Sequence, residues 1–171
     1  ITLNNEECIL SMFHDITEQK KAQETVQRRE AILGAIAFAA DEFLKTPGWT
    51  THIEAILGRI GQAADASRVY IFKVVPSQGE NVVLSQLHEW CAAGITPMMD
   101  DPILQGLDLE ENGLHRWGVT LSRGEPIIAI TRELPESEQA EFLRENILSI
   151  ICVSIMMEDR WWGLIGLDDC L

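Results

Sequence analysis

The stretch "ILSIICVSIMMEDRWWGLIGLDDC" (residues 147–170) contains eleven residues without a charge, a charged turn, and an apolar return. Residues 147–157 are apolar on both alternating faces. That pattern predicts a central strand covered on each side. "EDR" (158–160) turns the chain and 161–170 forms the partner strand. Asp168 and Asp169 close that strand. Paired carboxylates can hold a metal or move protons, but at a strand end they more often face water or cap a following helix, and capping is the expectation here.

Upstream of this hairpin the period stays near two. "SRVYIFKVV" (67–75) and "VVLSQLHEWCA" (82–92) read as two strands joined by "PSQGEN" (76–81). Residues 93–113 follow as a long segment with two Pro and three Gly. A loop of this length inside a compact domain is usually functional. Residues 114–124 predict a short helix, 125–130 a short strand and 135–146 a surface helix. The fold class expected is α+β: an antiparallel sheet of about five to six strands covered by helices.

The period changes to helical before residue 65. "TTHIEAILGRIGQAAD" places Ile53, Ile56, Leu57, Ile60 and Ala64 on one face, with Thr51 and Glu54 spaced as a capping box. "KTPGW" (45–49) separates this helix from a longer one over 17–44 that holds no Pro and a single Gly. Gln19, Ala22, Val26, Arg29, Leu33, Ile36, Ala40 and Phe43 recur at alternating steps of three and four. That is a heptad seam, and Val26, Leu33, Ile36, Ala40 and Phe43 are its candidate dimer contacts. One helix of a monomeric bundle would show a similar pattern.

Length, charge and cysteines narrow the function. The chain has 171 residues, 46% of them apolar, which suits a packed core rather than disorder. Its net charge is −14, and 100–111 carries Asp100, Asp101, Asp108, Glu110 and Glu111 with no Lys or Arg. Nucleic acid and anionic membranes would be repelled, so neither is an expected partner. The four cysteines are scattered, with no C-x-x-C pair and no secretory leader, which points to a reducing, cytoplasmic compartment. The longest apolar run, 31–40, is half of what a bilayer needs. The chain opens in mid-pattern and reads as a piece of something longer.

Chemistry-bearing residues are few. His14-Asp15 lacks the basic residue and the Pro expected on a phosphoacceptor helix, and His14 sits at a strand end. Asp15 reads instead as a carboxylate accepting N–H groups at a helix start. In His88-Glu89-Trp90-Cys91, strand alternation would split possible ligands between two faces, so no metal site is expected.

Two segments resemble known families. "ILSMFHDITEQKKAQE" (9–24) resembles the end of a PAS domain, whose last strand closes on Asp-Ile-Thr-Glu and runs into a signalling helix. Residues 50–170 resemble a GAF domain through "ASRVYIFKVV", "SQLHEW", "LHRWGVTLSRGEPI" and above all the 147–170 hairpin with its Trp-Gly. The resemblance divides the chain into a PAS strand remnant (1–16), a signalling coiled-coil helix (17–46) and a GAF domain lacking its final helix (47–171). It implies a non-catalytic sensory module of a cytosolic signalling protein, a sensor histidine kinase or a cyclic-di-GMP enzyme. A homodimer would form through the N-terminal helix, with the effector domain on the same polypeptide. The alternative is a GAF domain that only dimerises and spaces its neighbours.

The family pattern also implies a ligand pocket between the sheet and residues 93–124, lined by Trp90, Ile95, Met98, Met99, Leu107, Leu114 and Trp117. The ligand is unknown. No Asn-Lys-Phe-Asp-Glu motif for a cyclic nucleotide is present, and Cys91 is followed by Ala92 rather than the His that accompanies a bilin. His52, His88 and His115 leave haem open. A free methionine sulfoxide reductase would need reactive cysteines in the pocket; Cys91 could reach it, while Cys152 lies in a buried strand.

Overall fold

A computed structural model describes residues 2–3, 6–7, 14–45, 52–77 and 81–170, with side chains in 14–42, 52–77 and 81–170. Two short strands, β1 (Thr2–Leu3) and β2 (Glu6–Glu7), pair antiparallel. Residues 8–13, read as a strand, and 46–51, which hold the predicted helix break and Thr51, lie outside the described residues.

Helix α1 runs Thr17–Lys45. Asp15 starts it: its Oδ1 accepts the Thr17 N–H at 2.9 Å, and hydrogen bonds from Thr17 hold the carboxyl below its ordinary value. Asp15 thus accepts an N–H group at the helix start, as expected of that carboxylate, while Ile16, whose carbonyl takes the first intrahelical bond from Lys20, is the boundary residue and Thr17 is already in the first turn. Helix α2 (Ile53–Ala64) buries Ile53, Ile56 and Leu57 and ends at Asp65 in the left-handed conformation. The two helices are joined by Arg28, whose Nη2 donates to the Ala64 carbonyl at 2.5 Å, by the His52–Glu42 contact at 3.4 Å, and by Arg59 stacked 5.6 Å over the Phe38 ring.

Six strands make one antiparallel sheet in the order β5-β4-β3-β8-β7-β6. They are β3 (Arg68–Val75), β4 (Val83–Cys91), β5 (Leu107–Asp108), β6 (Ile127–Ile130), β7 (Ile147–Met157) and β8 (Arg160–Cys170). The β7–β8 hairpin turns at Glu158 and Asp159, both at positive φ, and pairs Met157 with Arg160. Two left-handed central residues match the twist of the flanking strands.

Two expectations about this hairpin change. β7 is the next-to-edge strand, and β3 and β8 hold the centre. β7 is buried on one face only: Ile147, Ile150 and Cys152 are covered, whereas Leu148, Ile151 and Val153 are exposed. The reason is reach. α2 packs mainly across β3 and β4, and its cluster reaches β8 and, on β7, only Ile155, leaving Leu148, Ile151 and Val153 uncovered.

The inner face carries the larger core, with Tyr70, Phe72, Leu84, Ile150, Cys152 and Leu164 under Trp117 and Phe142. Helices α3 (His115–Ser122) and α4 (Glu136–Arg144) supply these last two residues. Glu138 ties the helices together. Its carboxylate accepts from Arg116 Nε at 3.0 Å, Arg116 Nη2 at 2.6 Å and Trp117 Nε1 at 2.7 Å. Burial opposes its ionisation, but these donors win and hold the carboxyl below its ordinary value.

Candidate functional site

Between the inner face and the α3–α4 layer lies a cavity of about 70 Å³. Phe72, Leu84, Leu107, Trp117, Phe142 and Leu164 form its apolar wall, and Arg68, Gln86, Glu89, Glu141 and Glu145 its polar end. At roughly 10–15 Å³ per water, it holds about five water-sized groups.

The polar end is built by strand alternation. Arg68 and Tyr70 share the inner face of β3, and Arg68 pairs in register with Asp168 of β8. The Tyr70 hydroxyl donates to Asp168 Oδ1 at 2.7 Å. Arg68 Nη2 lies 3.1 Å from Asp168 Oδ2 and 3.3 Å from Glu145 Oε2. Neither contact has hydrogen-bond alignment, since Arg68 Nε, Arg68 Nη2 and Asp168 Oδ2 are all buried without a hydrogen-bond partner. Gly166 permits the arrangement, because a Cβ there would overlap the Tyr70 ring. Asp168 is thus a buried ion-pair partner, only 2% exposed. This corrects the helix-capping expectation: the strand runs on through Cys170, and Arg68 next door claims the carboxylate.

Burial dominates the proton equilibria of this cluster. It pushes Glu145 up to about 7 and Asp168 up to about 6 despite the Arg68 guanidinium. Burial likewise raises the thiols of Cys91, to about 11, and of Cys152 and Cys170. Such thiols are poor nucleophiles near neutral pH.

The β4 wall carries an irregularity that sequence alternation hides. Phe72 pairs with Gln86 and Ile71 with His88, so Leu87 is an extra residue in a bulge. Leu84 and Gln86 face the cavity before it; Glu89 faces the cavity after it. Glu89 Oε2 accepts the Met98 and Met99 N–H groups at 2.8 and 3.1 Å, which pins the long segment to the sheet. Arg144 pins the same segment to α4, bonding Asp101 at 2.5 Å and Glu141 at 2.6 Å.

Of the residues expected around a pocket, Met98, Leu107, Leu114 and Trp117 line the cavity. Trp90 is on the opposite face: the bulge turns it toward α2, where a Cβ at Gly61 would overlap its ring. Ile95 lies in the turn after β4, its N–H donating to the Ala92 carbonyl. Met99 contributes its backbone to Glu89 and to Gln105. Sequence reasoning passed over Arg68, Gln86 and Glu145, and weighed Glu89 only as a metal ligand and Asp168 only as a metal, acid–base or capping carboxylate. The available signal was an Arg opening an apolar strand, which in a folded sheet requires a carboxylate beside it.

The candidate dimer residues Val26, Leu33 and Ile36 are 54%, 65% and 57% exposed on α1. Ala40 is exposed as well, and the Phe43 side chain lies outside the described residues. Among the described residues no group of three or more His, Cys, Asp or Glu is arranged to hold a metal, and no helix is long and apolar enough to cross a membrane.

No family model matches the chain. It is 36% identical over 162 residues to the methanogenesis regulatory histidine kinase FilI of Methanothrix harundinacea, covering 95% of this chain and 18% of that protein. A protein of Azorhizobium caulinodans is 26% identical over 111 residues, 15% of its length. The chain therefore spans less than a fifth of these relatives. Among solved structures, GAF3 of Slr1393 from Synechocystis sp. PCC6803 superimposes with a TM-score of 0.55 at 18% identity, over 71% of this chain and 77% of that one. The far-red absorbing dark state of JSC1_58120g3 with bound biliverdin IXa does so with 0.63 at 13% identity, over 80% and 82%. The fold is that of GAF domains.

Proposed function

We propose that the chain is a non-catalytic sensory segment of a cytosolic multidomain signalling protein: a PAS-domain remnant (1–16), a signalling helix (17–46) and a ligand-responsive GAF domain (47–171). The observation that carries this reading is the inner-face cavity whose polar end holds buried atoms without partners. Leaving such atoms unpaired costs about 1–3 kcal/mol each, a cost that a bound molecule removes. The similarity to a segment of a histidine kinase supports a place upstream of an effector on the same polypeptide, either a kinase or a cyclic-di-GMP enzyme.

A route to the helix exists in the strand that walls the cavity. A ligand touching Gln86 or Glu89 acts on β4, and the adjacent Trp90 fits against Gly58 and Gly61 of α2. α2 in turn carries α1. In a homodimer paired along Val26, Leu33 and Ile36, two settings of Trp90 become two settings of the helix pair. The solvent-exposed apolar stripe on α1 supports that pairing.

Native mass spectrometry of the purified chain, with a denatured control, tests the reading. A dimer carrying releasable extra mass is expected. Sedimentation of the Leu33→Glu, Ile36→Glu double variant should show monomers, and an unchanged dimer would remove this stripe from the interface. The small cavity volume favours one second reading, a spacer domain with no ligand; a bare dimer that no small molecule stabilises is its signature.

A further inference from the structure

We propose that the occupant of this cavity is a small organic ammonium ion, its N–H groups held by Glu89 and Gln86 and its alkyl part against the aromatic wall; this rests on the sensory reading above. Three observations converge on it. Gln86 Oε1 and Glu89 Oε1 are acceptors buried among the cavity residues without a partner, and Gln86 is only 2% exposed. An ammonium supplies the donors both lack. The charge balance points the same way. Arg68 already stands between Asp168 and Glu145, and Arg144 pairs with Glu141 at 2.6 Å and with Glu145 at 3.1 Å, so Glu89, held by two backbone N–H groups, is the lining carboxylate with no ion-pair partner among the described residues. An anion would meet that uncompensated Glu89 carboxylate in a largely desolvated space, whereas a cation would offset it. Finally, Phe72, Trp117 and Phe142 present rings to the same space, surfaces that attract a cation by their quadrupoles.

Size limits the ligand. Room for about five water-sized groups admits an alkylamine of about four carbons and excludes anything of nucleotide or tetrapyrrole bulk without rearrangement. Arg68 Nε, also buried and unpartnered, adds one donor to the site. A water or a hydroxyl on the ligand would satisfy it.

The test uses three probes of one chain length and different charge: n-butylammonium, butanoate and 1-butanol. Each is titrated into the full chain at pH 8 by calorimetry and by thermal shift. Butylammonium should bind saturably and raise the melting temperature, with affinity at least tenfold above the other two. Glu89→Gln keeps the shape and the Met98 and Met99 contacts while removing the charge; it should weaken butylammonium at least tenfold with an unchanged circular dichroism spectrum. Gln86→Met serves as a second variant should Glu89→Gln unfold. Butanoate or butanol binding better than butylammonium would overturn the ammonium assignment and leave the sensory reading standing, as would wild-type affinity in both variants. Binding of none of the three, together with a bare mass in the native spectrum, would overturn both.

Discussion

Ile150 and Ile151 are consecutive and chemically identical, yet one is 3% exposed and the other 41%. The same division runs through the whole sheet. The inner face is roofed by α3 and α4, lines a cavity and buries an Arg with its carboxylates. The outer face is covered by α2 over β3 and β4 and left open over β6 and β7, where Ile128 is 75% exposed. The contrast teaches that an apolar run reports which surface would gain from burial, while the length and placement of helices determine which surface is buried.

The largest expected effect lies in the inner-face charges. Arg68→Met leaves Asp168 and Glu145 buried without their cation and should cost about 3–5 kcal/mol in urea unfolding. A loss below about 1 kcal/mol would mean that water reaches the cluster. Next comes the isoleucine pair. Ile150→Ala should cost about 2–4 kcal/mol and Ile151→Ala less than about 1 kcal/mol. Equal losses would break the distinction between the faces and show that the outer surface of β7 is covered in solution.

Acid titration sharpens the same contrast, since Glu145 and Asp168 are inner-face groups. Their folded pKa values, about 7 and about 6, lie above the ordinary 4.5 and 3.8. The native state therefore binds these protons more tightly than the unfolded chain, and stability falls as pH rises through that window. A tenfold difference in proton affinity is worth about 1.4 kcal/mol, and the two carboxyls share one guanidinium, so the loss from pH 5 to pH 8 should be about 2 kcal/mol. Below about pH 4 the sign reverses, because Glu138 and Asp101 are held below their ordinary values by Arg116 and Arg144. A flat profile between pH 5 and pH 8 would place the cluster in water.

The smallest effect compares two helical glycines. Gly34 on α1 has open space where a Cβ would go, so Gly34→Ala should stabilise by about 0.5–1 kcal/mol. Gly61→Ala drives a methyl into the Trp90 ring and should destabilise by about 1 kcal/mol or more. Equal outcomes would show that Trp90 yields freely, against its role as the link from β4 to α2.

Much of the fold was legible because its signals are local. The hairpin at 158–159, the strands at 67–75 and 82–92 and the helix over 53–64 each follow from period and turn chemistry within a dozen residues. The pocket was half legible. Met98, Leu107, Leu114 and Trp117 fell where apolar residues of a long segment meet a sheet. Trp90 did not, because a single extra residue at Leu87 reverses the facing of everything after it, and a bulge leaves little trace in hydropathy. The polar end was missed for another reason. Arg68, Glu145 and Asp168 lie far apart in the chain, and each taken alone resembles an ordinary surface residue.

Patterns of a few residues were thus sufficient for the elements and their antiparallel pairing, because backbone geometry and side-chain period are properties of neighbours in the chain. Net charge and composition, which need no structure at all, carry the expectation that nucleic acid and anionic surfaces are not partners. The tertiary structure alone revealed which face of β7 is buried, which way Trp90 points, and that Gln86, Glu89 and Arg68 meet around one space. Burial and desolvation depend on what packs across a gap from residues distant in sequence. Register, bulges and helix reach set that gap, and hydropathy along a single chain does not encode them.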